Sequence, residues 1–182
     1  DIGKFTLFGD AQLRHTTFRY NGDVDMPNLA WTFFNPKGGV VYNYCRHWRA
    51  YASIGQSHRE PTRNDMFMGE DNLVSYTEVS PEEVIDYEIG VGYSGDKLGA
   101  RGNVYYMDFK NEITLIGALG SNGLPLMTNV DNSFRSGIEL DIFYKIINTK
   151  DNTLTIGNNT NLSYNRIIDG GVQFQPLYTP PV

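Results

Sequence analysis

Apolar and polar residues alternate one for one over long stretches of this sequence, a period that suits a strand with two different faces and no helix. From Val84 to Ser94, Ile85, Tyr87, Ile89, Val91 and Tyr93 share one face; Asp86, Glu88, Gly90, Gly92 and Ser94 share the other. Ser136 to Ile146 repeats this, with Ile138, Leu140, Ile142, Tyr144 and Ile146 set against Glu139, Asp141, Phe143 and Lys145. Near the start, Phe5, Leu7, Gly9, Ala11 and Leu13 alternate with Thr6, Phe8, Asp10, Gln12 and Arg14. Late in the chain, Leu154, Ile156, Thr160, Leu162 and Tyr164 fall on one face, interrupted by Asn158. Further strands are expected at Val40–Tyr44, Trp48–Gly55 and Leu98–Ile116, about seven in all. In the last of these the alternation slips near Met107 and Asp108, which predicts a bulge there. Pro81, Pro125 and the Pro176–Pro181 group fall between or after the runs, where proline is tolerated. No amphipathic helix emerges. A chain with 12 Tyr, 10 Phe and 19 Gly but only 40% hydrophobic residues suits strands and turns of this kind.

The connections constrain the architecture further. Short ones are expected near Cys45–His47, at Gly95–Lys97 and at Asn148–Asn152. Long ones are expected at Asn21–Ala30, Arg59–Pro81, Gly117–Met127 and from Ile168 onward. They alternate, so an antiparallel up-and-down sheet collects every short turn at one end and every long loop at the other. Bacterial outer-membrane barrels share that asymmetry, with tight periplasmic turns and long extracellular loops. Several strands exceed the roughly 9–11 residues needed to cross a bilayer.

Alternation alone leaves two architectures open. In a β-sandwich the apolar face packs on a second sheet and the polar face meets solvent. In a barrel the polar face, with Asp86, Glu88, Glu139 and Asp141, lines a lumen. Loop asymmetry and strand length favour an all-β fragment of a transmembrane barrel. No stretch approaches the roughly 20 apolar residues of a membrane helix. The opening residues, Asp1 to Lys4, do not resemble a signal peptide, so the chain reads as a mature protein or an excised piece. A net charge of -6 with scattered cations argues against a nucleic-acid partner. The single cysteine, Cys45, allows no internal disulfide.

Motifs of soluble enzymes fail on context. Gly90 to Gly95 matches G-x-G-x-x-G, but that mechanism needs a helix opening at the last glycine, and here a hairpin turn and a strand follow. Ser94 to Lys97 matches S-x-x-K and equally lacks its helix. His15, His47 and His58 have no metal-ligand spacing. Glu60, Asp65, Glu70 and Asp71 form an acidic loop that suits a cation, with Arg59 and Arg63 beside it to neutralise it. No catalytic residue, resident metal or cofactor is expected.

Three segments taken in order resemble the barrel of TonB-dependent outer-membrane receptors. The first runs Asn35-Pro36-Lys37, Gly39, Tyr51-Ala52-Ser53 and Arg59-Glu60-Pro61. The second is Pro81-Glu82 followed by Tyr87-Glu88, Gly90 and Tyr93. The third is Asn129, then Arg135, Gly137 and Glu139. The run Arg59 to Asp65 is similar in style to receptors of the Bacteroidota. The resemblance implies a large barrel around a globular plug, importing a scarce bulky nutrient such as an iron chelate, a cobalamin or a glycan. Energy would come through TonB, reached by way of the plug. It also implies that residues 1–182 are part of the barrel, with plug, TonB-contact segment and closing strand lying elsewhere, and that the wall faces outer-membrane lipid. A passive porin and a soluble carbohydrate-binding β-sandwich stay open beside it.

The motif residues are mainly structural, so ligand chemistry is expected in the longest loop and on the lumen wall. Arg59, Glu60, Arg63, Asn64 and Asp65 supply polar groups in the loop, with Met66, Phe67 and Met68 as apolar handles. Arg101 and Asn103 are expected to face the lumen.

Overall fold

The computed structural model describes residues 3–22, 26–67, 79–119 and 125–168. Seven strands form one sheet in sequence order: β1 (Phe5–Phe18), β2 (Leu29–Asn43), β3 (Trp48–Arg59), β4 (Glu82–Ser94), β5 (Leu98–Leu119), β6 (Pro125–Asn148) and β7 (Thr153–Ile167). Every neighbouring pair is antiparallel. The chain is therefore an unclosed section of an up-and-down barrel wall.

The sequence pattern sets the register. One row of outward side chains crosses the whole sheet: Leu7, Val40, Ala52, Ile89, Val104, Ile138 and Leu162 are successive cross-strand partners. Because a slip of one residue exchanges the faces, this row fixes those beside it, and the expected partition holds up to the register shift between Lys145 and Ile147, where Ile146 drops out of the ladder. Glu88 pairs with Ser53 and Tyr105, and Arg101 with Gly92 and Asp141, on the opposite face. The outward face stays open, with Leu7, Ile89 and Leu162 each about two-thirds exposed at 65%, 68% and 67%. A monomeric soluble protein does not leave so broad an apolar face uncovered.

Aromatic rings close this face at both ends. Tyr87, Tyr106, Phe134 and Tyr164 touch in series at the loop end, with centroid separations of 6.4, 5.6 and 5.8 Å. At the turn end Phe5 packs on Tyr42 at 4.7 Å and Trp48 on Tyr93 at 5.0 Å. From Phe134 to Tyr144, β6 runs roughly 34 Å along its axis. Tilted by about 40°, that stands about 26 Å tall, the height of the lipid band of a transmembrane barrel.

Short turns lie where expected, closed by backbone bonds from Gly95 N to Leu98 O (2.8 Å) and Thr149 N to Asn152 O (2.9 Å). Other boundaries differ. β2 begins at Leu29 and carries Pro36 inside it, paired with Ala11. β5 and β6 run to Leu119 and from Pro125, so residues 117–119 and 125–127 of the expected loop are strand, and the remainder lies outside the described residues.

The expected bulge at Met107 and Asp108 is absent. Both pair in unbroken register with β4 and β6. The alternation fails there because β5 leaves the lipid band. Outward positions become polar (Asp108, Lys110), while Phe109 on the inner face becomes buried. The irregularities come later, at Asn111, which has a φ of 53° and is skipped in the ladder, and between Leu115 and Leu119. Asparagine tolerates this left-handed conformation better than most residues.

Buried apolar residues gather at this end: Met26, Phe33, Met66, Val79, Phe109, Ile113 and Val130. Met66 belongs to α1 (Arg63–Phe67), a five-residue helix that sequence patterning could not announce. Thr62 and Asp65 cap it reciprocally: the Thr62 amide and hydroxyl donate to Asp65 Oδ2 at 2.7 and 2.8 Å, and the Asp65 amide donates to Thr62 Oγ1 at 3.4 Å.

Candidate functional site

Strands leaving the lipid band must satisfy backbone groups as their neighbours end, and here side chains do so. The Arg59 guanidinium, at the last position of β3, bonds the Glu82 carboxylate at the first position of β4 and reaches Asp65 at 3.5 Å. Glu82 Oε1 also accepts the Ile113 amide at 2.6 Å. Asn129 on β6 takes Ser80 at both ends, accepting its amide at 2.7 Å and donating to its carbonyl at 2.9 Å. It donates as well to the Asn111 carbonyl at 2.6 Å, holding the left-handed residue. Glu112 receives Ser133 and Arg135, and the Arg135 guanidinium lies 4.6 Å from the Phe109 ring centroid. Arg14 on β1 grips Glu60 through both nitrogens, at 3.0 and 2.6 Å, and donates to the His58 carbonyl at 2.9 Å. Burial raises the Glu60 carboxyl, but its own backbone amide and Arg14 outweigh that and hold it below the usual carboxylate value.

The loop-end candidates therefore divide. Arg59 and Asp65 come together and Arg14 holds Glu60, so most of their polar atoms are spent on the protein itself, though Glu60 Oε2 accepts no hydrogen bond among the described residues; Asp65 is buried. Met66 is fully buried and is no apolar handle for a ligand. Phe67 packs on Tyr20 at 4.9 Å, with Arg63 over both rings at 5.6 and 5.9 Å. Arg63 and Asn64 are exposed at the mouth. Met68, Glu70 and Asp71 lie outside the described residues.

Arg101 and Asn103 sit elsewhere, deep in the wall opposite Asp141 and Glu139. By register, Asn103 is level with Gly90 and Tyr51. Arg59, opposite Glu82, lies at the level of residue 111, roughly 27 Å further along the strand. Two separate regions carry the candidates. Between them is a polar hollow of about 420 Å³ lined by Asp10, Gln12, Asn35, Lys37, Ser57 and Asp86. Asp10, Lys37, Gly55 and Asp86 share one cross-strand row, and the Lys37 stem lies across Gly55, where a Cβ would meet Lys37 Cγ at 3.4 Å. Sequence reasoning placed Asp10, Gln12 and Asp86 on the polar face and gave Asn35, Lys37 and Ser57 no place in a strand, because no local motif joins them.

The histidines stay apart. His15 bonds Thr32, His47 the Ser94 carbonyl, and His58 Asn35. Among the described residues no three His, Cys, Asp or Glu side chains group to hold a metal ion. Gly90 to Gly95 runs from β4 into the hairpin turn.

A family model described as "TonB dependent receptor-like, beta-barrel" matches residues 2–181. The chain belongs to this family. Its members are transport receptors of the Gram-negative outer membrane, so the receptor barrel, not an enzyme, is the frame for the site. No curated protein matches the chain. Among solved structures, the FrpB iron transporter from Neisseria meningitidis (F3-3 variant) matches at 23% identity and TM-score 0.70, over 92% of this chain and 24% of its own. The copper transporter OprC matches at 18% identity and TM-score 0.72, over 93% of this chain and 28% of its own. The siderophore receptor PirA from Pseudomonas aeruginosa matches at 14% identity and TM-score 0.58, over 74% of this chain and 25% of its own. The chain thus spans about a quarter of the length of these receptors, and at such identities they speak to fold alone.

Proposed function

We propose that this chain is part of the wall of a TonB-dependent import receptor in a Gram-negative outer membrane. It would admit a metal-bearing chelate ahead of a cobalamin or a glycan, driven by TonB through a plug supplied by the rest of the protein. The observation that carries the reading is the pairing of two faces: an apolar band between two aromatic belts outside, and carboxylates, amides and cations inside. The iron, copper and siderophore transporters that share the fold motivate the metal-bearing cargo. The style of Arg59 to Asp65 supports a receptor of Bacteroidota type.

Ligand contact is assigned to Arg63 and Asn64 at the mouth and to Arg101 and Asn103 in the wall. Arg59, Glu60 and Asp65 hold the frame behind them. The test is uptake of radiolabelled ferric chelate, cobalamin and oligosaccharide by cells making the full-length receptor, with and without TonB. TonB-dependent uptake of a chelate, weakened by Arg63→Ala with Asn64→Ala, is expected. Uptake indifferent to TonB would make the barrel a passive porin.

A further inference from the structure

The two ends of the sheet use their cations differently. At the loop end Arg14, Arg59, Lys110 and Arg135 are each paired with a carboxylate, while among the described residues Arg19, Arg63 and Arg166 form no ion pair. At the turn end stand Lys4, Arg46, Arg49, Lys97, Lys145 and Lys150, against, among the described residues, only Asp96 and Asp151 in the turns. Among the described residues none of these six cations forms an ion pair with a carboxylate. The whole chain carries -6, so this excess runs against its overall charge.

The corner formed by β1, β2 and β3 concentrates the effect, because Asp96 and Asp151 lie in the other two turns. Lys4 is fixed on the aromatic belt: its ammonium donates to the Tyr44 carbonyl at 2.9 Å and stands 5.3 Å from the Tyr44 ring centroid. Its own carbonyl accepts the Asn43 amide at 2.8 Å, tying it to the end of β2. Arg46 is exposed in the adjoining turn. Tyr44 and Trp48 flank it, 62% and 46% exposed. Aromatic rings of this kind mark the depth of the membrane–water interface. Cations held at that depth meet the phosphates of lipid headgroups.

We propose that Lys4 and Arg46, flanked by Tyr44 and Trp48, form a binding surface for the phosphate of anionic phospholipid in the periplasmic leaflet. This rests on the outer-membrane reading above. Each cation close to an anionic membrane surface favours the anionic lipid by about fivefold. The pair should therefore enrich it locally by about twenty-fivefold at low salt, less as salt screens the charges.

Trp48 reports the local lipid directly. The full-length receptor is reconstituted in phosphatidylcholine vesicles containing brominated phosphatidylglycerol or, at equal mole fraction, brominated phosphatidylcholine. The Trp48 share of the emission is taken by subtracting the Trp48→Phe receptor. Stronger quenching by phosphatidylglycerol is expected. Lys4→Gln with Arg46→Gln should abolish the preference, and Lys4→Arg with Arg46→Lys should keep it. Equal quenching by the two lipids, or a preference that survives loss of both charges, overturns the proposal while leaving the membrane reading intact. Quenching by neither lipid would overturn both, because Trp48 would then not lie at the bilayer.

Discussion

Four inward aromatic rings lie over glycines on the facing strand: Phe8 over Gly39, Tyr51 over Gly90, Tyr105 over Gly137 and Phe143 over Gly99. A Cβ on Gly90 would sit 2.3 Å from Tyr51 Cε1 and 2.7 Å from Cζ, so Gly90→Ala must lift the ring off the wall. Gly102 makes the contrast. It is an outward glycine in the next register row, and a Cβ there meets nothing closer than 3.8 Å. Replacing a strand glycine by alanine recovers about 0.5–1 kcal/mol of backbone entropy. At Gly102 that gain stands alone, so Gly102→Ala should be neutral or slightly stabilising. At Gly90 it is set against an overpacking cost of about 1–3 kcal/mol, leaving a net loss of up to about 2.5 kcal/mol. The assay is urea unfolding of the full-length receptor in vesicles. A cycle with Tyr51→Ala isolates the contact: removing the ring should cost less in the Gly90→Ala receptor than in the native one, by about 1–3 kcal/mol. Additivity to within about 0.5 kcal/mol, or equal effects at Gly90 and Gly102, would refute the reasoning.

Other consequences follow from the rim. Asn129→Ala strips three hydrogen bonds from Ser80 and Asn111 and should cost about 1–3 kcal/mol, read as faster proteolysis around residue 80 in the folded receptor. Arg135→Ala leaves buried Glu112 without its cation and should destabilise the β5–β6 hairpin, seen as faster amide exchange there. Glu60 has a folded pKa below its ordinary 4.5, so its stabilising contribution is present above that value. It is lost as pH falls through the depressed folded value. Glu60→Gln should therefore flatten the acid limb of the unfolding midpoint plotted against pH.

The fold was legible because one face of each strand is apolar and the other polar, and this writes a period-two signal along each strand. Ile85 to Tyr93 and Ile138 to Tyr144 read correctly for that reason, whereas Ile146 falls at a register shift in the ladder. The reading failed where the environment changes along a single strand. At Met107 and Asp108 the outside turns from lipid to water and the inside from lumen to packed core, so polarity exchanges faces with no slip in register. A pattern rule that assumes constant surroundings reports that exchange as a bulge. α1 was missed because five residues show no helical periodicity, and its only sequence mark is the cap pair Thr62 and Asp65.

The candidate site was less legible, and the rim shows why. Motif residues Arg59, Glu82 and Asn129 were recognisable as letters of a family pattern, but their partners stand 23 and 49 positions away. Only folding reveals that the letters bind one another across the ends of neighbouring strands. A residue whose polar atoms are spent on its neighbours has few left for a ligand. It follows that the shared motifs fix where strands end and loops begin, whatever cargo passes. On the function proposed above, selectivity would belong to residues outside the motifs that keep exposed polar surface, such as Arg63 and Asn64. Exchanging those two should change which chelate is taken up while the unfolding midpoint stays put, whereas exchanging Arg59 or Glu82 should lower the midpoint first.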